Sequence, residues 1–397
     1  MKGNVVIGQS GGPTSVINAS LCGVIQGCLK QSSIGRIYGM HFGIQGFMEE
    51  KLVDLGSEKP EVIQRLQATP GSALGSCRHK LSADDFPRIM EVLKKYDIRY
   101  LFLIGGNDTM DTIHRVELHC RAHSFEMIGI GVPKTVDNDL FGTDHTPGFP
   151  SAARYVALSV LQEGILARDM KRVDQFVIFQ TVGRAAGWLA ASSALAKKEE
   201  DDAPHLILMP ERPFVPERFL ADVQRCHRQY GFVSIVCGEG ITTAEGRPVS
   251  ASTASDKFAN IEFGAMGGTS AAMVLHQLIA REFGWRGEFE ITESLQMCAA
   301  DRAACLDREE AYACGQRAVE LASLGRTGVM VALVRESGHP YRISLGEVSL
   351  QEAARHAKPM PEEYIHPDGN FVTPEYLEYA RPLVGALPDY GRLQGVR

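Results

Sequence analysis

The sequence has no hydrophobic run long enough to cross a bilayer. A membrane-spanning helix needs about 20 consecutive apolar residues, and the apolar stretches of this 397-residue chain are far shorter. Residues 1–4 lead directly into a predicted strand, without the basic and apolar regions of a signal peptide. We therefore expect a cytoplasmic protein that is not embedded in a membrane.

Cysteine is present, but it lacks the spacing that would give it a structural role. The nine cysteines, from Cys22 to Cys314, are odd in number and scattered, and no C-x-x-C pair occurs. This pattern argues against a disulfide framework and against a zinc site. Reduced, buried thiols in a cytosolic protein explain it best.

Positive charge is in deficit. The chain has 41 Lys and Arg against 48 Asp and Glu, which gives a net charge of -7. This balance argues against nucleic acid or an anionic membrane as the main partner, although a local basic pocket for phosphates is compatible with it. The hydrophobic fraction of 44% and charged fraction of 22% are those of an ordinary globular protein. The length predicts two α/β lobes rather than one small core.

The common nucleotide-binding motifs are absent as well, since neither G-x-x-x-x-G-K-[ST] nor G-x-G-x-x-G occurs. The chain has instead a short predicted strand at residues 5–8, followed by a glycine turn that leads into a helix. Gly11 and Gly12 let backbone N–H groups approach an anion, and the helix N-terminus adds partial positive charge. Taken alone, the turn is equally compatible with a plain strand-to-helix connection.

Two further loops carry polar side chains. Residues 71–78 form a small-residue loop that ends in Arg78, which either clamps a phosphate or lies on the surface as a solvated cation. The predicted strand at residues 100–104 opens into Gly105-Gly106, followed by Asn107 and Asp108. An acid beside a phosphate loop indicates magnesium binding or the exclusion of a bulkier anion.

The stretch from Pro133 to Asp139 combines one lysine with two carboxylates. It follows the apolar run at residues 127–132, a predicted buried parallel strand, and ligands of open α/β sheets bind at the carboxyl ends of strands. Lys134 offers a cation for an anionic substrate, and Asp137 or Asp139 offers a base for a hydroxyl. We interpret this stretch as the catalytic loop; the alternative is a solvated loop of turn-forming residues.

The second half of the chain repeats the pattern of strands that end in polar loops. The predicted strand at residues 175–180 is followed by Arg184, a candidate substrate clamp. The predicted strand at residues 232–237 ends in a Gly-Glu-Gly turn that places Glu239 at another carboxyl end. Residues 289–296 are predicted to form a further strand.

These loops, in this order, resemble the phosphofructokinase family and in particular its pyrophosphate-dependent branch. The matches cover nearly the whole chain, and a set in the family's order is far more specific than any single member. The matching segments are residues 10–20, 72–78, 105–109, 133–139, 182–188, 208–211, 238–240, 267–271 and 307–312.

The resemblance implies an α/β fold of two doubly wound lobes with the active site in the cleft between them. Residues 1–145 would form the lobe for pyrophosphate and magnesium, residues 146–335 the lobe for the sugar phosphate, and residues 336–397 an extension packed on the lobes. The implied reaction is a reversible, Mg²⁺-dependent phosphoryl transfer from pyrophosphate to the C1 hydroxyl of fructose 6-phosphate. The family also implies a homodimer or homotetramer.

By the same resemblance, Asp137 takes the proton of the C1 hydroxyl and Lys134 stabilises the transferring phosphoryl group. Asp139 would orient the loop or approach the magnesium ion, which would meet the neutral amide oxygen of Asn107. The donor would contact Gly11, Gly12 and Arg78. The sugar phosphate would contact Thr135, Val136, Asp137, Asp139, Val182, Gly183, Arg184 and Glu239.

The donor preference depends on two positions, since ATP-using relatives carry glycine where this chain has Asp108 and Lys134. The Asp108 carboxylate would lie where the α-phosphate of ATP must go. Two unit charges ~4 Å apart at an effective dielectric constant of ~20 repel by roughly 4 kcal/mol. Pyrophosphate needs no space beyond that point, so we expect it to be the donor.

Two departures from the family affect the acceptor. Relatives usually carry Gln-Arg where this chain has Gln296-Met297, and that arginine holds the 6-phosphate of the sugar in a neighbouring subunit's site. Either Arg302 or Arg286 replaces it, or the acceptor differs at its distal end, as sedoheptulose 7-phosphate does. Val182 also replaces a usual methionine, a milder apolar change. A non-catalytic family member is the remaining alternative.

Overall fold

The computed structural model describes residues 1–250 and 268–393, in which strands and helices alternate. The strands are β1 (Gly3–Gln9), β2 (Ile34–Met40), β3 (Leu52–Asp54), β4 (Ile98–Gly105), β5 (Ile128–Pro133), β6 (Phe176–Thr181), β7 (Leu206–Leu208), β8 (Val233–Gly238), β9 (Gly287–Ile291), β10 (Val329–Gly338) and β11 (Tyr341–Ser349). The helices are α1 (Ile17–Cys28), α2 (Gly43–Met48), α3 (Pro60–Leu66), α4 (Asp85–Lys95), α5 (Asn107–Ala122), α6 (Phe149–Met170), α7 (Trp188–Ser192), α8 (Pro216–Tyr230), α9 (Ala271–Phe283), α10 (Leu295–Cys298), α11 (Cys305–Ser323), α12 (Leu350–Arg355) and α13 (Pro374–Val384).

The larger sheet has seven strands in the order β11-β10-β5-β4-β1-β2-β3. Its inner pairings are parallel, and only the edge strands β3 and β11 run antiparallel to their neighbours. The central strands β1, β4 and β5 are almost fully buried because helices cover both faces of a parallel sheet. Since these three strands run in the same direction, the loops that follow them lie at one edge of the sheet.

The smaller sheet has four parallel strands in the order β7-β8-β6-β9. Strands β6 and β8 are buried along their whole length, and their carboxyl ends deliver the loops that begin at Val182 and Glu239. The two largely parallel sheets confirm the predicted α/β fold. Among the described residues, no helix combines the length and the apolar character needed to span a membrane.

The chain returns from the smaller sheet to the larger one earlier than the predicted domain boundary at residue 335. Helix α11 already packs backbone to backbone on α1. A Cβ atom added to Gly23 would lie 2.2 Å from the Tyr312 carbonyl oxygen, and one added to Gly315 would lie 2.2 Å from that of Ser20. Strand β10 then pairs with β5, and β11 extends the same sheet, so residues 329–349 belong to the larger sheet.

The segment after β11 packs around the side chain of Trp188. The indole ring lies 5.4 Å from the ring of Tyr379, and the Tyr376 hydroxyl donates a 2.7 Å hydrogen bond to the Trp188 carbonyl oxygen. Both tyrosines belong to α13 and are buried. Helix α13 is thereby attached to the first residue of α7.

Candidate active site

The loop after β5 is held in one conformation by contacts on both sides. Asn138 has the left-handed backbone angle φ of 56°, which asparagine tolerates better than most residues. Its side chain accepts a 3.1 Å hydrogen bond from the Thr146 backbone N–H and donates a 3.1 Å hydrogen bond to the Tyr379 hydroxyl. The Thr146 hydroxyl in turn donates to the Thr135 carbonyl oxygen at 2.9 Å. The two carboxylates that flank Asn138 are therefore carried by a fixed backbone.

Lys134 connects this loop to the glycine turn after β1. Its side chain is only 3% exposed, and its Nζ donates a 2.6 Å hydrogen bond to the Gly12 carbonyl oxygen. Gly11 has a φ of 76°, and a Cβ atom added there would lie 3.2 Å from the same Nζ. Burial lowers the pKa of Lys134 to about 8, although Asp137 and Asp139 act in the opposite direction. A lysine and a glycine turn 122 residues apart in the sequence are thus brought into direct contact.

A cavity of about 530 Å³ opens beside this turn. It is lined by Gly11 and Gly12 on one side and by Arg78 on the other, together with the polar loop that precedes Arg78. The Ser76 hydroxyl of that loop donates a 2.6 Å hydrogen bond to the Gly11 carbonyl oxygen. The structure therefore brings together all three residues that the sequence assigned to the phosphoryl donor.

Asn107 and Asp108 lie in the first turn of α5, directly after β4. The Asn107 amide donates a 3.3 Å hydrogen bond to the His356 carbonyl oxygen, and Asp108 is exposed to solvent. Among the described residues, no group of three or more His, Cys, Asp or Glu side chains is arranged to hold a metal ion. Mg²⁺ is usually bound through one or two protein oxygens, waters and substrate phosphates. An amide and a carboxylate beside the donor turn fit such a phosphate-borne ion.

Asp137 has the protonation behaviour that a base at neutral pH needs. Burial, reinforced by the negative charge of Asp139, raises its pKa to about 7, while Arg184 and Lys134 act to lower it. Burial also raises the pKa of Asp139, against the opposing influence of its own backbone N–H and of Lys358. A general base is most effective when its pKa lies near the working pH. The raised pKa is consistent with the predicted role of Asp137 as a base.

The loop after β6 approaches this site from the smaller sheet. Gly183 has a φ of 119°, and its N–H donates a 3.3 Å hydrogen bond to a carboxylate oxygen of Glu239. A Cβ atom added to Gly240 would lie 1.5 Å from the Arg184 carbonyl oxygen, so only glycine fits there. Burial raises the pKa of Glu239 to about 7, with further contributions from Asp137 and Glu293.

Arg184 is the cation of this half of the cleft, and its side chain is exposed. Its positive charge acts to lower the pKa of Asp137, of Asp139 and of Glu239, although burial outweighs it in each case. The guanidinium therefore lies within electrostatic range of all three carboxylates. A sugar phosphate bound among them would have Arg184 available for its phosphate.

Strand β9 ends at Ile291, short of the end predicted at Gln296. Gln296 and Met297 lie instead in the short helix α10. The Gln296 side chain accepts a 3.1 Å hydrogen bond from the Val182 N–H and donates a 3.1 Å hydrogen bond to the Gln180 carbonyl oxygen. The sulfur atom of Met297 reaches across the cleft, 3.6 Å from where a Cβ atom on Gly12 would lie. The position that differs from the family's usual arginine therefore borders the donor turn.

Neither arginine suggested as a replacement is held at this position. The Arg302 guanidinium donates a 3.2 Å hydrogen bond to the Ser159 hydroxyl on α6. Arg286 forms a 2.8 Å ion pair with Asp174 at the amino-terminal edge of the smaller sheet, opposite the edge that carries Arg184. Within this chain neither arginine lies beside Met297, and replacement of the usual arginine from a neighbouring subunit stays a prediction.

The sequence analysis missed one lysine that supports the catalytic loop. The Lys358 Nζ donates hydrogen bonds to the Asn138 side-chain oxygen at 3.3 Å and to the Asp144 carbonyl oxygen at 2.7 Å. The backbone N–H of Lys358 donates to the Asp139 carbonyl oxygen at 2.7 Å. Burial lowers the pKa of this lysine to about 8. Its position in an irregular segment between charged residues gave no periodic signal that could have identified it.

Comparisons with known proteins agree with this geometry. A family model described as phosphofructokinase matches residues 4–322. The pyrophosphate–fructose 6-phosphate 1-phosphotransferase of Methylococcus capsulatus is 39% identical, over 99% of this chain and 96% of that protein. A sulfofructose kinase of Alkalicoccus urumqiensis is 33% identical, over 91% of each. The crystal structure of a pyrophosphate-dependent phosphofructokinase from Marinobacter aquaeolei is 37% identical with a TM-score of 0.88, covering 100% of this chain and 95% of that one.

Proposed function

The chain belongs to the phosphofructokinase family, and we propose that it transfers a phosphoryl group from pyrophosphate to the C1 hydroxyl of fructose 6-phosphate. The products are fructose 1,6-bisphosphate and orthophosphate, and the reaction is reversible. The observation that carries this proposal is the juxtaposition of a base and an anion site. Asp137, with a pKa near 7, lies on the same short loop as the lysine that is hydrogen-bonded to Gly12.

In this mechanism Asp137 accepts the C1 proton as the hydroxyl oxygen attacks the phosphorus atom. Phosphoryl transfer depends on positioning and on stabilising negative charge. Lys134 supplies the positive charge that stabilises the transferring group, while the turn at Gly11 and Gly12 and the guanidinium of Arg78 hold the phosphate that leaves. Mg²⁺, which Asn107 would help to hold, would neutralise the charge of the pyrophosphate oxygens.

The acceptor is proposed to lie between the catalytic loop and the smaller sheet. On the loop side it contacts Thr135, Val136 and Asp139. On the other side Arg184 binds its phosphate, Glu239 accepts hydrogen bonds from its hydroxyls, and Val182 and Gly183 shape the pocket. We expect a cytoplasmic homodimer or homotetramer, as proposed from the family resemblance.

The choice of pyrophosphate over ATP is proposed to depend on Asp108. Its exposed carboxylate, in the first turn of α5, would repel the α-phosphate of a nucleotide. An uncharged residue would remove roughly 4 kcal/mol of repulsion at most. Four curated relatives at 36–39% identity carry names that specify pyrophosphate, in line with this reading.

The direct test measures phosphoryl transfer to fructose 6-phosphate with magnesium, in parallel with pyrophosphate and with ATP. We expect turnover with pyrophosphate alone in the wild type, and measurable ATP binding in Asp108→Gly. An Asp111→Asn variant, which removes a carboxylate one helical turn further along α5, is the matched control and should still reject ATP. If Asp108→Gly gains no nucleotide binding, the repulsion argument is wrong.

Acceptor identity requires a panel under the same conditions. Fructose 6-phosphate should give the highest kcat/KM, ahead of sedoheptulose 7-phosphate and of sulfofructose, which figures in the name of one relative. A preference for either of the others would keep the chemistry but replace the acceptor. Pyrophosphate binding without transfer to any of the three would instead indicate a non-catalytic family member.

A further inference from the structure

A second cavity lies at the opposite edge of the smaller sheet from the active site. Its volume is about 150 Å³. One face of α6 lines it on one side, and the amino-terminal ends of β6, β8 and β9 line it on the other. Strand β6 separates it from the cleft by about 17 Å, at roughly 3.3 Å per residue. The lining residues are Glu163, Leu166, Ala167, Met170, Asp174, Phe176, Val177, Phe232 and Glu288.

The carboxylate of Glu163 is the unusual feature of this cavity. Both of its oxygens are buried, and neither has a hydrogen-bond partner among the described residues. A buried carboxylate without a partner costs several kcal/mol unless a proton or a cation compensates it. Burial, reinforced by the charges of Glu290 and Glu288, raises the pKa of Glu163 to about 8. The side chain therefore lines a cavity that offers its ionised form no partner among the described residues.

Acidic side chains surround Glu163 on two of the neighbouring segments. Strand β9 contributes Glu288 and Glu290, and the segment before β6 contributes Asp174. The one basic side chain that these contacts include is Arg286, which is 73% exposed and already paired with Asp174 at 2.8 Å. An excess of negative charge beside an unpartnered carboxylate favours a positively charged ligand.

The chemistry of the lining favours an organic cation over a metal ion. Among the described residues, no three acidic or histidine side chains are arranged to hold a metal. The rest of the wall is apolar and includes the rings of Phe176 and Phe232. Carboxylates combined with aromatic rings are typical of sites for ammonium and guanidinium groups.

We propose that this cavity binds a guanidinium or primary ammonium group, which pairs with the Glu163 carboxylate. When the cavity holds no cation, Glu163 carries a proton at neutral pH, and the incoming cation displaces it. Binding therefore strengthens as the pH rises from about 7 to 9. The cation belongs either to a free amine or to a basic side chain of a second copy of this chain, and the apolar Leu166 and Met170 at the rim, 58% and 39% exposed, suit either source.

Calorimetric titration with methylguanidinium chloride tests the free-ligand form, with methylurea as the uncharged probe of the same shape. We expect binding to the wild type at pH 8.5, weaker binding at pH 6.5, and an affinity at least about tenfold lower in Glu163→Gln. The matched control Asp169→Asn removes one negative charge from the exposed side of the same helix and should bind like the wild type. Equal binding of methylurea, or equal affinity in all variants, would overturn the proposal.

Sedimentation equilibrium tests the second source. If the cation comes from a second copy, Glu163→Gln should raise the dissociation constant of the oligomer at least about tenfold while Asp169→Asn does not. If the experiments show no ligand uptake and no shift in self-association, the proposed site is refuted. Glu288→Gln, at the rim, repeats both measurements if Glu163→Gln fails to fold. Neither readout depends on phosphoryl transfer, so the proposal stands or falls separately from the proposed function.

Discussion

The two halves of the cleft differ in charge and in the way their side chains are held. On the donor side, the lysine is buried and fixed by a 2.6 Å hydrogen bond to Gly12. On the acceptor side, the exposed Arg184 lies within electrostatic range of Glu239, and Met297 stands where relatives usually carry an arginine. We therefore expect the chemistry of the donor to depend on backbone geometry and recognition of the acceptor to depend on a few side chains.

The largest expected effect comes from removing the base that the two halves share. Asp137→Asn preserves the shape of the loop but cannot accept the C1 proton, so kcat should fall about a thousandfold in both reaction directions. The KM values for both substrates should change by less than about threefold, because the contacts to the ground state are retained. Steady-state kinetics in each direction measures both quantities.

Asp111→Asn serves as the control for this variant, because Asp111 forms only a surface ion pair with Arg115 at 3.7 Å. Its kcat should equal that of the wild type. A kcat for Asp137→Asn within tenfold of the wild type would assign the proton transfer to another group.

The pH profile separates the two halves next. Asp137 must be deprotonated, so kcat/KM should fall about tenfold per pH unit below about 7. Lys134 must stay protonated to stabilise the phosphoryl group, so kcat/KM should also fall above about 8. In Lys134→Arg the upper limb should move beyond pH 10, because a guanidinium keeps its proton there.

The lower limb provides the internal control for that experiment, since Lys134→Arg leaves Asp137 in place. It should stay within about one pH unit of the wild-type position. If the upper limb does not move in Lys134→Arg, another group controls it and the role of Lys134 is wrong.

The contrast between the halves also explains what could be predicted from the sequence. Gly11 and Lys134 follow the short buried strands β1 and β5, and parallel strands bring such loops to one edge of a sheet. Arg78 lies between two helices, and only its small-residue loop marked it. The strand predicted for residues 289–296 was wrong beyond Ile291, because the chain there turns into helix α10, which contains Gln296. Its amide pairs with the backbone of residues 180 and 182, as a neighbouring strand would.

The support behind the catalytic loop could not be predicted from local pattern. Lys358 meets Asn138 and Asp144 across more than 200 residues of sequence, and the Asn138 amide meets Tyr379 across 241. The return of β10 to the larger sheet likewise depends on its pairing with β5. Such contacts leave no spacing in the sequence that identifies their partners.

The smallest expected effect tests whether Met297 belongs to the donor side or the acceptor side. Met297→Arg places a second cation beside Val182 and close to Gly12. If it serves the acceptor, the KM for fructose 6-phosphate should fall about tenfold, the value of one good charge-assisted hydrogen bond, while the KM for pyrophosphate stays constant. If it serves the donor turn, the KM for pyrophosphate should fall about tenfold while the KM for fructose 6-phosphate stays constant.

Met297→Gln is the control for this substitution, because it adds polarity and similar length without charge. Its KM values should match those of the wild type within about twofold. Because the Met297 sulfur lies 3.6 Å from where a Cβ atom on Gly12 would be, a charge at this position cannot leave both substrates unaffected. If both KM values are unchanged in Met297→Arg, the introduced arginine turns away from the cleft. The missing cation in the acceptor half would then no longer explain the choice of substrate.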